Sequence, residues 1–152
     1  MRDFSKVSPL LWRDKSFRSL ASSDARLLYL YCMTSEHQNS AGCYRIPDLY
    51  AASDLGWDPP RLLQAREEIV RAGLVQFDED TSEIYIVDWF KTNPITNVKH
   101  YMGTLRLVLE IESDQIRELV EEAVSVSEQE RQEKEAISLA SVGRPRPSLA
   151  VR

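Results

Sequence analysis

The chain has 152 residues, of which 43% are apolar and 28% charged, with a net charge of −5. That balance fits one globular domain with an appendage and excludes a collagen-like or wholly disordered chain. It also excludes a strongly basic nucleic-acid binder, although not a local basic face. The charge is uneven: residues 1–47 carry +3 and residues 48–91 carry −6. No uncharged apolar run approaches the roughly 18 residues of a membrane span. The first residues, MRDFSKVSPLLW, show no secretory pattern, so the expected compartment is the cytoplasm, with no membrane partner. Two cysteines, Cys32 and Cys43, are too few for a disulfide framework.

Ser8-Pro9 opens the first helical signal, followed by Leu11, Trp12 and Phe17 at roughly helical spacing. Ser22-Ser23-Asp24 starts a second helix, expected to run to about Ser35, with Leu27, Leu28, Tyr31 and Cys32 in a wide apolar stripe. His37 to Gly42 reads as a loop. Gly42 to Ile46 is a short β-prone segment ending at Pro47. Asp48 to Leu55 reads as a short helix stopped by Gly56. Asp58 can cap the next helix, with Pro59 at its first position, and that helix runs to Ala72 before Gly73. Leu74 to Phe77 and Glu83 to Phe90 read as strands joined by the polar connector Asp78–Ser82, hence a hairpin. Asn93-Pro94 breaks the chain. A helix over about 97–110 carries Val98, Met102, Leu105 and Leu109 at spacings of 4, 3 and 4. Ser113 caps a last helix with Ile116, Leu119, Val120, Ala123 and Val124. From Ser125 the stretch is charged, and a solvated and a frayed helix are both open readings.

This order is that of an α+β winged helix-turn-helix with a small antiparallel sheet and a helical C-terminal extension. The expected domains are a winged helix over 1–96, a helical extension over 97–140 that serves oligomerisation, and a disordered basic tail over 141–152. The stretches KVSPLLWRDKSFRSL, SSDARLLYLYCMTS, GCYRIPDLYAASDLGW, EEIVRAGLVQFDED and IYIVDWFKTNPITN, spanning roughly residues 5–100, resemble the N-terminal region of phage and prophage replication proteins of the replisome-organiser or DnaD-like type. The resemblance implies a winged-helix DNA-binding or assembly module used when replication starts. No DnaD-type second domain is recognisable after residue 110.

At 100° per residue, the Pro59–Ala72 helix puts Leu62, Leu63, Ala65, Ile69, Val70 and Ala72 on one arc, expected to face the core. Arg61, Gln64, Glu68 and Arg71 fall opposite. In helix-turn-helix geometry that face enters the major groove, where arginine can read guanine and glutamine adenine. The competing reading is an ordinary solvated face. Arg66 lies inside the apolar arc and reads as a snorkelling or paired arginine. The acids Asp78, Glu79 and Asp80 stand where many wings carry cations, which favours a wing that points away or holds a protein. Cations for phosphate contact would come from Lys6, Arg13, Lys15, Arg18, Arg26 and Arg45; scattered surface charge is the plainer alternative. The site residues expected for DNA are thus Arg61, Gln64, Arg71, Arg45, Lys15 and Arg18.

No catalytic or metal motif is present: His37 and His100 lie in unrelated segments without HExxH or CxxC spacing, and no phosphate-binding glycine loop occurs. The chain is read as a non-enzyme without a cofactor. Trp12, Trp57, Trp89 and Phe90 could stack on single-stranded DNA, but large aromatics are mostly buried, so a core place is expected for all four. The expected partner is double-stranded DNA. A replisome or host protein, or a role in transcription, is the alternative. The Ile116–Val124 stripe must be covered either by the winged helix or by a second copy, and a compact homo-oligomer, a dimer, is expected.

Overall fold

A computed structural model of the chain describes residues 4–142. It is a mixed α+β structure: helices around one three-stranded antiparallel sheet, with a helical C-terminal part. A 3-10 turn over Pro9–Arg13 leads into α1 (Lys15–Ser19) and α2 (Ser23–Thr34). Strand β1 (Cys43–Arg45) follows, then α3 (Asp48–Leu55) and α4 (Pro59–Arg71). The hairpin is β2 (Val75–Asp78) and β3 (Glu83–Ile86). The chain continues through α5 (Trp89–Thr92), α6 (Val98–Leu109) and α7 (Asp114–Val142). The sheet order is β1-β3-β2, with Cys43 opposite Tyr85 and Val75 opposite Ile86. Helix pair, hairpin and strand order are consistent with a winged helix.

The helix ends follow the chemistry of the capping residues. Ser22 Oγ accepts from Ala25 N at 3.0 Å, Asp58 Oδ1 from Arg61 N at 3.1 Å and Asn97 Oδ1 from His100 N at 2.8 Å. Gly56 closes α3 in the left-handed region, at φ 66°. Gly42, at φ 68°, is required for a second reason: a Cβ there would stand 2.3 Å from the Trp89 ring.

The second strand is shorter than its sequence predicts. Asp88 turns left-handed at φ 60°, ending the ladder, and α5 then drives Trp89 and Phe90 into the core. The indole N–H of Trp89 donates to Ser40 O at 3.0 Å, which ties α5 to the loop before β1. Alternating burial alone cannot separate this turn from a continued strand.

The C-terminal helices share the core of the winged helix. Ile116, Val120 and Val124 are buried, with Val108 of α6, in the same cluster as Ile69, Val75 and Ile86. Ser127 Oγ accepts from Ile95 N at 2.9 Å. Three of the five stripe residues are therefore covered within the chain, while Leu119 is exposed and Ala123 partly buried. In α6 the outcome is the reverse: Val98, Met102 and Leu109 are exposed, and the buried positions are Thr104 and Val108. The charged stretch after Ser125 is helical, and every residue from Gln132 to Ser141 is exposed. Of the basic tail expected over 141–152, residues 141 and 142 end α7 and 143–152 lie outside the described residues. No helix among the described residues is long and apolar enough to cross a membrane.

Candidate nucleic-acid interface

Helix α4 is held on three sides. Leu62, Ala65 and Ile69 enter the core. Arg66 is half-buried; its guanidinium lies 3.8 Å from the Phe77 ring centroid and pairs with Asp48 of α3, the structural role expected from its place in the apolar arc. On the side facing α2, Arg61 Nε and Nη2 donate to Asp24 Oδ2 and Oδ1 at 2.7 and 2.8 Å. The Arg61 guanidinium also lies 4.6 Å from the Trp57 ring centroid. Two turns further on, Glu68 accepts from Ser22 N at 3.0 Å and from Ser22 Oγ at 2.7 Å. The hydrogen bond from Arg61 holds the Asp24 carboxyl below its ordinary range, and those from Ser22, side chain first, do the same for Glu68. Arg61 and Glu68 thus clamp α4 to the N-terminus of α2.

This changes the expected recognition face. A bidentate fork already occupied by Asp24 cannot also read a guanine, so Arg61 leaves the set of free base-reading side chains. Glu68 leaves the outer face as well. Leu63 and Val70, expected in the core arc, are 41% and 36% exposed. The core contact of α4 is narrower than the apolar arc of its sequence, because α2 approaches from the polar side and rotates the buried stripe toward Ala65. What remains outside is Leu63, Gln64, Glu67, Val70 and Arg71. Gln64 and Arg71, seven residues apart, share one face, and among the described residues neither side chain forms a hydrogen bond.

An open groove of about 480 Å³ runs along this face, between Gln64, Glu67, Glu68 and Arg71 of α4 and Ser19, the last residue of α1, with Ala21 after it. Lys15 and Arg18 are exposed on α1, the element that leads into that wall. Gln64 and Arg71 thus line the groove, whereas Lys15 and Arg18 lie on the helix that leads to its other wall and do not line it. Arg45 is exposed on β1, opposite Glu83 at the base of the wing, and does not line the groove.

The wing is built by its acids. Asp78 Oδ1 accepts from Asp80 N and Thr81 N at 2.9 and 3.2 Å, closing the turn, and the Ser113 side chain together with Thr81 N holds its carboxyl low. Glu83, only 6% exposed, accepts from Glu112 N at 3.0 Å and Ser113 N at 2.8 Å. The hairpin thus holds the two residues that lead into α7, and Ser113 Oγ accepts from Ile116 N at 3.4 Å to cap it. Glu79 and Asp80 remain as exposed acids at the tip.

Three of the four large aromatics lie in the core as expected: Trp57, Trp89 and Phe90. Trp12 does not; it is 63% exposed. Its 3-10 turn contributes no buried residue, and the core position is filled by Phe17 instead. The thiols of Cys32 and Cys43 are buried and pushed up to about 12 by that burial, which suits small core hydrophobes. Compared with protein-family models, with curated proteins and with solved structures, the chain matches none.

Proposed function

We propose that the chain is a DNA-binding winged-helix protein that acts, without catalysis of its own, at the start of DNA replication. The observation that carries the DNA part is the outer face of α4. This helix is fixed rigidly by α2, α3 and the core, yet presents Gln64 and Arg71 outward beside a groove whose other wall follows the cationic α1. A rigid helix with one adenine-type and one guanine-type reader suits a major groove. Lys15 and Arg18 supply phosphate contacts beside it. The replication part rests on the resemblance to phage and prophage replisome-organiser proteins.

A titration of fluorescent duplex DNA at several salt concentrations tests the reading. Binding that weakens linearly in the logarithm of salt, with a slope reporting a few phosphate contacts, supports it. Absence of duplex binding at low salt would overturn it.

A second reading has its own observation. Leu63 and Val70 are exposed on the same face, and Glu79 and Asp80 cap the wing with negative charge. Exposed aliphatics beside acids suit a protein surface better than phosphates. Under this reading the groove along α4 holds a segment of a replisome or host protein, and the titration above stays flat.

A further inference from the structure

The N-terminal corner sends Phe17 into the core and lends Lys15 and Arg18 to the proposed duplex face, yet its other aromatic stays outside on a firmly built turn. Ser8 Oγ accepts from Leu10 N at 3.2 Å to open the 3-10 turn. Asp14 N–H closes it on Leu10 O and Leu11 O, both at 3.1 Å, and Asp14 Oδ1 accepts from Phe17 N at 2.8 Å to start α1. Phe17, 1% exposed, anchors the corner. Trp12 sits between the two capped turns, its ring 5.5 Å from that of Phe17 and nearly perpendicular to it, at 79°. The indole is thus oriented, but open to solvent.

A side chain of this size gains most by burial, so an ordered, exposed tryptophan is an unspent contact surface. Leu10 and Phe4 are exposed beside it in sequence. Four exposed cations, Lys6, Arg13, Lys15 and Arg18, surround it along the chain. The single acid among the described residues of this segment, Asp14, is committed to the α1 cap. In a chain of net charge −5 this segment is locally cationic. Cations select a polyanion, and an oriented indole face selects one whose units carry flat π surfaces. Bases of a duplex are stacked on each other and offer no such face; bases of a single strand do. An acidic polypeptide would satisfy the cations but leave the indole without a stacking partner.

We propose that the corner from Phe4 to Arg18 binds single-stranded nucleic acid, with Trp12 as the stacking platform and Lys6, Arg13, Lys15 and Arg18 on the phosphates. This extends the duplex reading of α4 and stands without it. Because the corner is already ordered by its caps, little conformational entropy is lost on binding.

The test uses the full chain, a thymidine oligonucleotide and an abasic oligonucleotide of the same length and charge. Trp57 and Trp89 are buried, so quenching of tryptophan emission reports Trp12. The expected result is saturable quenching, with the thymidine strand bound about tenfold tighter than the abasic one. With the strands dye-labelled and binding read by anisotropy, because these variants lack the quenching reporter, Trp12→Ala should erase that ratio and Trp12→Phe should keep most of it. Equal binding of the two strands by the wild type would overturn the proposal. So would a Trp12→Ala variant of native circular dichroism that retains the ratio. Displacement of the thymidine strand by polyglutamate of equal charge at the same concentration would overturn it in favour of an acidic protein partner. Loss of duplex binding alone counts against the α4 reading and leaves this one intact.

Discussion

At the scale of single residues, Gly42 and the α4 face make different demands. Gly42 is left-handed at φ 68° and its missing Cβ leaves room for the Trp89 ring. Gly42→Ala adds backbone strain of about 1–2 kcal/mol and a clash in a packed core costing about 1–3 kcal/mol. Urea unfolding should therefore show a loss of roughly 3 kcal/mol, and a loss under about 1 kcal/mol would mean that Trp89 moves aside freely. On α4, Gln64→Ala and Arg71→Ala remove exposed side chains without hydrogen bonds among the described residues, the Arg71 charge being a minor support of Glu68. If they read bases, each should weaken a preferred duplex by about 1–3 kcal/mol at an unchanged unfolding midpoint. Arg61→Ala should behave differently. It breaks the fork to Asp24, so it should lower the unfolding midpoint, and any loss of DNA affinity should be shared by Asp24→Ala. The sequence put Arg61 in the readout set because spacing along one helix cannot see a carboxylate 37 residues away on another. The same blindness hid the Ser22–Glu68 bond, although Ser22 was legible as a helix cap. Trp12 was misplaced because apolar character does not say which of two nearby aromatics, Trp12 or Phe17, takes the buried position.

At the scale of elements, the order of helices and strands was legible because the punctuation is chemical. Ser22, Asp58 and Asn97 cap, Gly56 and Gly73 stop, and Asp78–Ser82 turns. What was not legible is which face of a helix meets the core when neighbours lie far away in the chain. The α6 stripe of Val98, Met102 and Leu109 is as regular as any in the sequence, yet the packed side carries Thr104 and Val108. The acidic hairpin shows the same limit. Its charges read as an obstacle to DNA, but Asp78 and Glu83 are there to hold a turn and the start of α7. Two predictions follow from that division of labour. Glu83→Ala leaves the buried amide of Ser113 and the part-buried amide of Glu112 without acceptors, which should cost about 1–3 kcal/mol. Hydrogen exchange should quicken first in the opening turn of α7; unchanged protection there would show that solvent replaces the carboxylate at no cost. By contrast, Glu79→Gln with Asp80→Asn removes two charges that hold nothing. Duplex affinity at low salt should rise if the wing faces DNA, and complex formation with an acidic-wing partner protein should fall if it does not.

At the scale of the whole molecule, the C-terminal helices decide stability. Hydrogen-bonded carboxylates are held low: between elements, Asp24 by Arg61, Glu68 by Ser22 and Asp78 by Ser113; within α7, Glu128, down to about 2, by Arg131. A carboxyl whose folded pKa lies below its unfolded value stabilises the fold above the unfolded value, and that contribution disappears as pH falls through the folded one. Stability should therefore be flat through neutral pH and fall from about pH 4.5 toward pH 2, the range over which unfolded and folded Glu128 titrate. Glu128→Gln should be less stable than wild type at neutral pH and converge with it near the acid end. Parallel curves at every pH would show that the Arg131 pair does not contribute.

The same helix sets the smallest folding unit. Removing α7 strips Ile116, Val120 and Val124 from the core, each at most 2% exposed, and uncovers the sheet face beneath them. Burying three such side chains is worth on the order of 6 kcal/mol, comparable with the entire net stability of a domain, about 5–15 kcal/mol. A chain ending at Glu112 should therefore lose cooperative unfolding and bind a hydrophobic dye. A chain ending at Gln132 keeps the buried stripe, the Ser127 bond to Ile95 and the Glu128–Arg131 pair, and of the described residues loses only exposed helix, with the Arg131–Glu135 pair. Its unfolding midpoint should match that of the full chain. The two truncations also bear on assembly. A stripe whose Ile116, Val120 and Val124 are already covered within one chain does not need a second copy to cover them, so light scattering should give the same mass per particle, in units of the chain, for the full protein and for the Gln132 form. A drop to monomer on losing residues 133–152 would place a self-association surface after Gln132 rather than in the packed half of α7.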